Sequence, residues 1–286
     1  MAEVVVAAVQ AKPRSASLDE MRTGGELDHA VELLEAAHAR GADLACFPEM
    51  YPLVGEEVLR KEALRLGIWI VAGLEESAGS GKSYNTATFI SRQGEVVARQ
   101  RKVYPTEREK QRTIVPGEGY RVVDTELGRV GAVICSDLAF VSEGVRSLAR
   151  QGVELLFSPS WWFALAEGLP SVILGRHFEF GVPVVGVNVA KVAIAVGDGN
   201  DSADRFPAAG GFSTFACPPP VSSLDELGAW FGSKPAGINS VDDICRSLGE
   251  DEDILIGSVS LDACRRFPGY FYSAEARATL LGDIGG

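Results

Sequence analysis

The sequence predicts a mixed α/β fold, and three observations carry that reading. Short apolar, β-branched runs alternate with stretches of helical spacing along most of the 286 residues. The composition, 46% hydrophobic and 23% charged, is that of a globular chain rather than a disordered, collagen-like or coiled-coil one. The length suits one large α/β domain or two small ones. A chain of this size buries roughly 75% of its unfolded surface and needs no disulfide or structural metal to hold together.

The elements follow in order. Val4 to Val9 is a continuous β-branched run that suits a buried strand. Leu27 to Ala39 has helical spacing, with Leu27, Val31, Leu34 and His38 on one expected face and Gly41 as the stop. Asp43 to Phe47 reads as a short strand ended by Pro48. Glu56 to Leu66 reads as a helix stopped by Gly67, and Ile68 to Ala72 as the next strand. Thr86 to Ile90 and Glu95 to Arg101 flank Ser91-Arg92-Gln93-Gly94 and read as a hairpin. Then come a strand from Gly128 to Ile134, a helix from Glu143 to Arg150 and a strand from Glu154 to Phe157. A helix from Ser171 to Phe180, a strand from Pro183 to Val189 and a late strand from Ile254 to Val259 complete the set. The chain is expected to form one domain over 1–286 with an insertion at 218–253, opened by Pro218-Pro219-Pro220, closed by an acidic cluster, and holding a short helix near Val241 to Leu248.

Charge and cysteine usage exclude several classes. The balance of 27 basic against 39 acidic residues gives −12, which argues against nucleic acid or an anionic membrane as the main partner. The five cysteines are odd in number, widely spaced and free of any C-x-x-C, so neither a disulfide framework nor a zinc site is expected. Met1 to Gln10 lacks a basic n-region, and apolar runs such as Val182 to Val187 are too short to span a bilayer. The expected setting is soluble, reduced and cytoplasmic. Gly79-Ser80-Gly81-Lys82-Ser83 imitates a phosphate-binding loop, but Glu76 stands where that loop needs its first glycine. A strand pattern, not a helix, follows it, so a hairpin turn is the better reading.

Chemistry concentrates at three strand ends. Cys135 closes an apolar strand and precedes a helix, a turn that exposes a nucleophile and points backbone N–H groups at a developing oxyanion. A cysteine there is more often a buried small hydrophobe, and a thiol nucleophile needs a base. Of the three histidines, His29 and His38 lie on the first helix, whose ends are expected to be solvated, and only His177 could serve. A carboxylate can replace histidine. Glu49 ends one strand and Lys102 another, so glutamate, lysine and cysteine can converge at one sheet edge.

With these residues in place, the chain resembles the nitrilase superfamily of carbon–nitrogen hydrolases. Phe47-Pro48-Glu49, Arg101-Lys102-Val103-Tyr104, Gly131 to Asp137 and Arg176 to Asn188 carry the resemblance, with Val5 to Gln10 and Gly211-Phe212-Ser213 in support. It implies a four-layer α-β-β-α sandwich, and a thiol hydrolase that cleaves a non-peptide C–N bond, most often in a small carboxamide. Cys135 would form the acyl-enzyme, Glu49 would move protons and Lys102 would stabilise the oxyanion. Glu109 takes the place of a second glutamate, one position out of register, and Tyr104, Ser136, Ser160 and Trp161 are the pocket candidates. Ala139, Phe140, Val141 and Ser142 stand where the family reads Arg-Phe-Pro-Glu. The alternatives are nitrile or N-carbamoyl hydrolysis, or a catalytically silent relative that serves as a binding or assembly module. The resemblance implies no cofactor or metal, a small-molecule amide or nitrile as the partner, and a homodimer or higher homo-oligomer.

Overall fold

The computed structural model describes residues 3–162, 165–195, 205–218 and 244–271, with isolated positions between 223 and 229. Its helices are α1 (Leu18–Arg22), α2 (Leu27–Ala39), α3 (Glu56–Leu66), α4 (Glu107–Gln111), α5 (Ser136–Phe140), α6 (Ser142–Arg150), α7 (Leu169–Phe180) and α8 (Leu261–Phe271). A first set of strands comprises β1 (Glu3–Gln10), β2 (Leu44–Cys46), β3 (Pro52–Leu53), β4 (Trp69–Gly79), β5 (Lys82–Ile90) and β6 (Val96–Arg101). A second comprises β7 (Val123–Thr125), β8 (Gly128–Ala132), β9 (Leu155–Ser160), β10 (Val184–Asn188), β13 (Thr214–Ala216) and β14 (Cys245–Ser247), and β11 (Val192–Ala195) pairs with β12 (Arg205–Ala209) as a separate hairpin. The last strand, β15 (Asp253–Ser260), returns to the first set.

The two sheets share one plan. The first runs β15-β1-β2-β4-β5-β6, with β3 on β4, and the second runs β14-β13-β10-β9-β8-β7. In each, the central pairs are parallel (β1–β2 and β2–β4; β8–β9 and β9–β10) and the margins antiparallel. Parallel pairs need crossovers, which place helices on one face of each sheet. The other two faces meet.

Strand periodicity divides the core into layers. On β1, Val4, Val6 and Ala8 point between the sheets and pack with Leu44, Val71, Ala132, Phe157 and Val187. Ala7 and Val9 point the other way, onto Met21, Leu34, Ala37 and Leu59 of α1, α2 and α3. On the far side Val133, Leu156 and Val184 pack against Leu138, Val145, Leu148 and Ile173 of α5, α6 and α7. The result is the four-layer α-β-β-α sandwich.

The string that imitates a phosphate loop is the β4–β5 turn. Ser80 and Gly81 both have positive φ, 52° and 71°, the conformation that suits a two-residue hairpin.

Three expectations need correction. Helix α2 buries His29, Ala30, Leu33, Leu34 and Ala37, so its inner face is rotated from the expected one. His29 is not solvated, because the Tyr51 hydroxyl meets its Nδ1 at 3.0 Å and gives the buried ring a partner. The helix expected near Val241 to Leu248 is replaced over its described part by strand β14, whose pairing with β13 outweighs local helical preference. The rest of the expected insertion at 218–253 lies for the most part outside the described residues. No helix among the described residues is long and apolar enough to cross a membrane.

Candidate active site

Two sheets contribute to one cluster. Glu49 leaves the end of β2 through Phe47, whose N–H bonds Val71 C=O at 2.8 Å. The turn lies hard against β4 at Gly73, where an added Cβ would sit 2.2 Å from Pro48 O. Only glycine lets the carboxylate-bearing turn close down there. Lys102 follows β6 and is anchored at both backbone groups: its N–H bonds Asn85 C=O and its C=O accepts from Gly117 N–H, each at 2.8 Å.

Cys135 comes from the opposite sheet. Its N–H bonds Pro159 C=O at 3.0 Å, and its φ of 50° and ψ of −111° make the sharp strand-to-helix turn that begins α5. Such strained backbone persists where the surroundings dictate it, as the flanking strand bonds do here.

The side chains meet. Lys102 Nζ lies 2.8 Å from Glu49 Oε1 and 2.9 Å from Glu109 Oε2. Glu49 and Lys102 are 4% and 3% exposed, so the pair is shielded from bulk water. Glu49 Oε2 accepts the Trp161 N–H at 2.8 Å, which ties it across to the end of β9. Glu109 is fixed by its own helix: Thr106 and Glu109 form a reciprocal capping box at the start of α4.

Burial and charge set the protonation states. Burial disfavours the Lys102 ammonium, but the Glu49 and Glu109 carboxylates overcome it and raise its pKa, so it stays charged. Burial also raises Glu109, and Lys102 more than offsets this and holds it below the ordinary carboxylate range. Burial and the neighbouring Glu49 carboxylate push the Cys135 thiol well up, against the opposing pull of Lys102 and the Trp161 N–H. The resting site therefore holds a protonated thiol beside a carboxylate and an ammonium.

These groups border a cavity of about 80 Å³. Glu49, Lys102, Glu109 and Cys135 reach it, with Leu18, Met50, Ile114 and Trp161 as apolar wall and Arg22, Arg108 and Arg112 as basic wall. Of the pocket candidates, Trp161 lines this space. Tyr104 is half exposed and off the wall, Ser160 is buried with its hydroxyl on Ser158, and Ser136 Oγ is buried with no partner among the described residues. His177 is buried in α7 with Nδ1 2.9 Å from Val182 O, and burial lowers its pKa.

Two residues escaped the sequence reading. Asn85 on β5 donates Nδ2 to Glu49 Oε1 at 2.7 Å and to Glu109 Oε1 at 2.8 Å. Asp137, two residues after the cysteine, accepts the Val103 N–H at 2.9 Å, the Tyr104 N–H at 3.3 Å and the Tyr120 hydroxyl at 3.0 Å. It thereby staples the lysine segment to the nucleophile turn, and burial raises its pKa despite these donors. Neither residue follows the end of a strand, which was the signal that exposed the other three.

A sandwich of paired sheets with a thiol, a carboxylate and an ammonium at one cavity defines the class to which the comparisons then give a family. The carbon-nitrogen hydrolase family model matches residues 5–268, and the chain belongs to that family. A deaminated glutathione amidase from Synechocystis sp. is 31% identical over 163 residues, which covers 47% of this chain and 60% of that protein. An omega-amidase from Xenopus laevis is 27% identical over 157 residues, covering 46% and 56%. The matched stretches thus span little more than half the length of these relatives. Among solved structures, a carbon-nitrogen hydrolase from Helicobacter pylori superposes with a TM-score of 0.74 at 15% identity, covering 98% of this chain and 99% of that one. An amidase from Nesterenkonia sp., solved after Michael addition of acrylamide at its active site cysteine, superposes with a TM-score of 0.67 at 21% identity, covering 96% and 99%. At these identities the structures speak for the fold.

Proposed function

We propose that the protein hydrolyses a small carboxamide to its acid and ammonia through a thioester on Cys135. The observation that carries this reading is the buried Glu49–Lys102 pair, 2.8 Å apart, beside the Cys135 thiol on the wall of a cavity. Glu49 takes the thiol proton as sulfur attacks the amide carbon. The tetrahedral oxyanion is stabilised by the Lys102 ammonium and the Ser136 N–H, donors held in place before charge develops. Glu49 returns the proton to the departing nitrogen, and ammonia leaves. It then deprotonates a water that attacks the thioester, which frees the acid and restores the thiol. Glu109 keeps Lys102 charged and aimed. The amidase names of the relatives support amide over nitrile or N-carbamoyl substrates.

The test is ammonia release from a panel of neutral amides, carboxylate-bearing amides, nitriles and N-carbamoyl amino acids, with Cys135→Ala as the blank. Carboxylate-bearing amides belong in it because three guanidinium groups stand on the cavity wall. Turnover of amides above the blank supports the reading, and a wild type equal to the blank throughout favours the silent binding module.

We also propose a homodimer through the α5–α7 face. Phe140 on α5 and Phe178 on α7 are 81% and 55% exposed, and the Phe140 ring lies 6.4 Å from that of Trp162. Arg176 binds α7 to the end of α5 through the Leu138 and Ala139 carbonyls, so the patch is carried by one rigid pair of helices. Light scattering at micromolar concentration is expected to give twice the chain mass, and a monomer would refute the dimer.

A further inference from the structure

Asn85 is 1% exposed, its side chain meets carboxylates from two elements, Glu49 after β2 and Glu109 on α4, and its backbone C=O accepts the Lys102 N–H. Its strand neighbours serve other contacts, since Thr86 bonds Glu76 and Arg101 stacks over Tyr84. The orientation of its amide follows from chemistry. Both near atoms are carboxylate oxygens, which only the NH₂ end can meet. The carbonyl end, Oδ1, is left buried with no partner among the described residues. A fold that needed only to fill this space could do so without stranding a polar atom.

The bonds divide Glu49 into two unlike oxygens. Oε1 accepts both Lys102 Nζ and Asn85 Nδ2, as many bonds as a carboxylate oxygen has in-plane lone pairs. Oε2 accepts only the Trp161 N–H and so keeps one lone pair for the proton of the Cys135 thiol. Asn85 Nδ2 also reaches Glu109 Oε1, so one amide group spans two carboxylates that share one lysine. Like charges this close would otherwise favour a shared proton.

We infer that Asn85 is a positioning residue, which holds Glu49 and Glu109 side by side as carboxylates and leaves Glu49 Oε2 as the one oxygen open to the nucleophile. The inference rests on the proton-acceptor role proposed for Glu49, and it assigns the control of that role to a neutral side chain on a neighbouring strand.

The experiment compares wild type, Asn85→Ala and Asn85→Ser by two readouts. One is the pH dependence of kcat/KM on the best amide of the panel. The other is the ¹³C-carboxyl NMR titration of the free enzyme, with Glu49→Gln and Glu109→Gln to assign the two signals. In Asn85→Ala a carboxyl of the pair is expected to titrate about one pH unit higher, because the charged form has lost its donor. The acid limb of kcat/KM should move up with it. Below that limb kcat/KM should fall by up to about tenfold relative to wild type and recover at higher pH, with KM nearly unchanged. Asn85→Ser retains one donor and should fall between, and it carries the same test if the alanine variant fails to fold. If the wild type turns over none of the panel, the NMR titration still decides the role of Asn85 while the amidase reading fails. Unmoved carboxyl titrations in a folded variant, or activity lost equally at every pH, would overturn the inference.

Discussion

Two buried polar clusters flank the segment from Phe47 to Leu53, and they are built for different ends. One gathers Glu49, Glu109 and Asn85 around Lys102. The other gathers fixed donors around Glu26, which is wholly buried, accepts the N–H groups of Arg14 and Ser15, and lies 3.7 Å from His29. His29 in turn meets Tyr51, while Glu252 lies 3.1 Å from its other ring nitrogen. Burial pushes Glu26 up, but His29 and those N–H donors overcome it and bring it down from 4.5 to about 2. The Glu26 cluster joins chain segments far apart in sequence and includes no nucleophile. The Lys102 cluster keeps its charge at the wall of a cavity, beside a thiol. A perturbed carboxylate therefore does not by itself mark chemistry; it does so where charge, space and a nucleophile coincide.

Substitutions can break this contrast or sharpen it. Cys135→Ala should abolish turnover, because no other group there can form the acyl intermediate. Glu49→Gln keeps the shape and loses the proton acceptor, and should cost about 10²–10⁴-fold in kcat. Lys102→Ala should cost about 10²–10³-fold, more in kcat than in KM, because an oxyanion contact strengthens only in the transition state. It should also lower the melting temperature, since two buried carboxylates would then face each other without a cation. Steady-state kinetics and a thermal melt check all three.

Glu26→Gln should do the reverse. Turnover should stay within about threefold of wild type, while the melting temperature at pH 7 falls by about 4 °C or more. Because Glu26 is depressed from 4.5 to about 2 in the folded protein, its stabilisation is present above pH 4.5 and fades as pH falls toward 2. Melts of wild type and variant should therefore converge across that window. A variant that is stable but inactive would place Glu26 in the chemistry and erase the distinction between the clusters.

Much of this was legible in the sequence because strands and helices here obey simple periods. Helix Leu27–Ala39 has the expected bounds, and Glu49, Lys102 and Cys135 each follow the end of a strand, which marks them. What was hidden depends on tertiary partners. The inner face of α2 follows from the Tyr51–His29 bond, which joins residues 22 apart. Helices α1 and α4 have five residues each, too few to display a helical period. Asn85 and Asp137 are polar residues inside an element, and nothing local separates them from solvent-facing ones. Only the meeting of β5 with the Glu49 turn, and of α5 with the end of β6, reveals them.

The central claim, that the Lys102 cluster serves an acylating thiol, is tested most directly by trapping the intermediate with an amide or activated ester and mapping it by mass spectrometry. The account predicts an adduct on Cys135 in the wild type, and in Glu49→Gln one that forms slowly and persists, because water is no longer activated. An adduct on Cys46, Cys217, Cys245 or Cys264 instead, or full activity in Cys135→Ala, would contradict it.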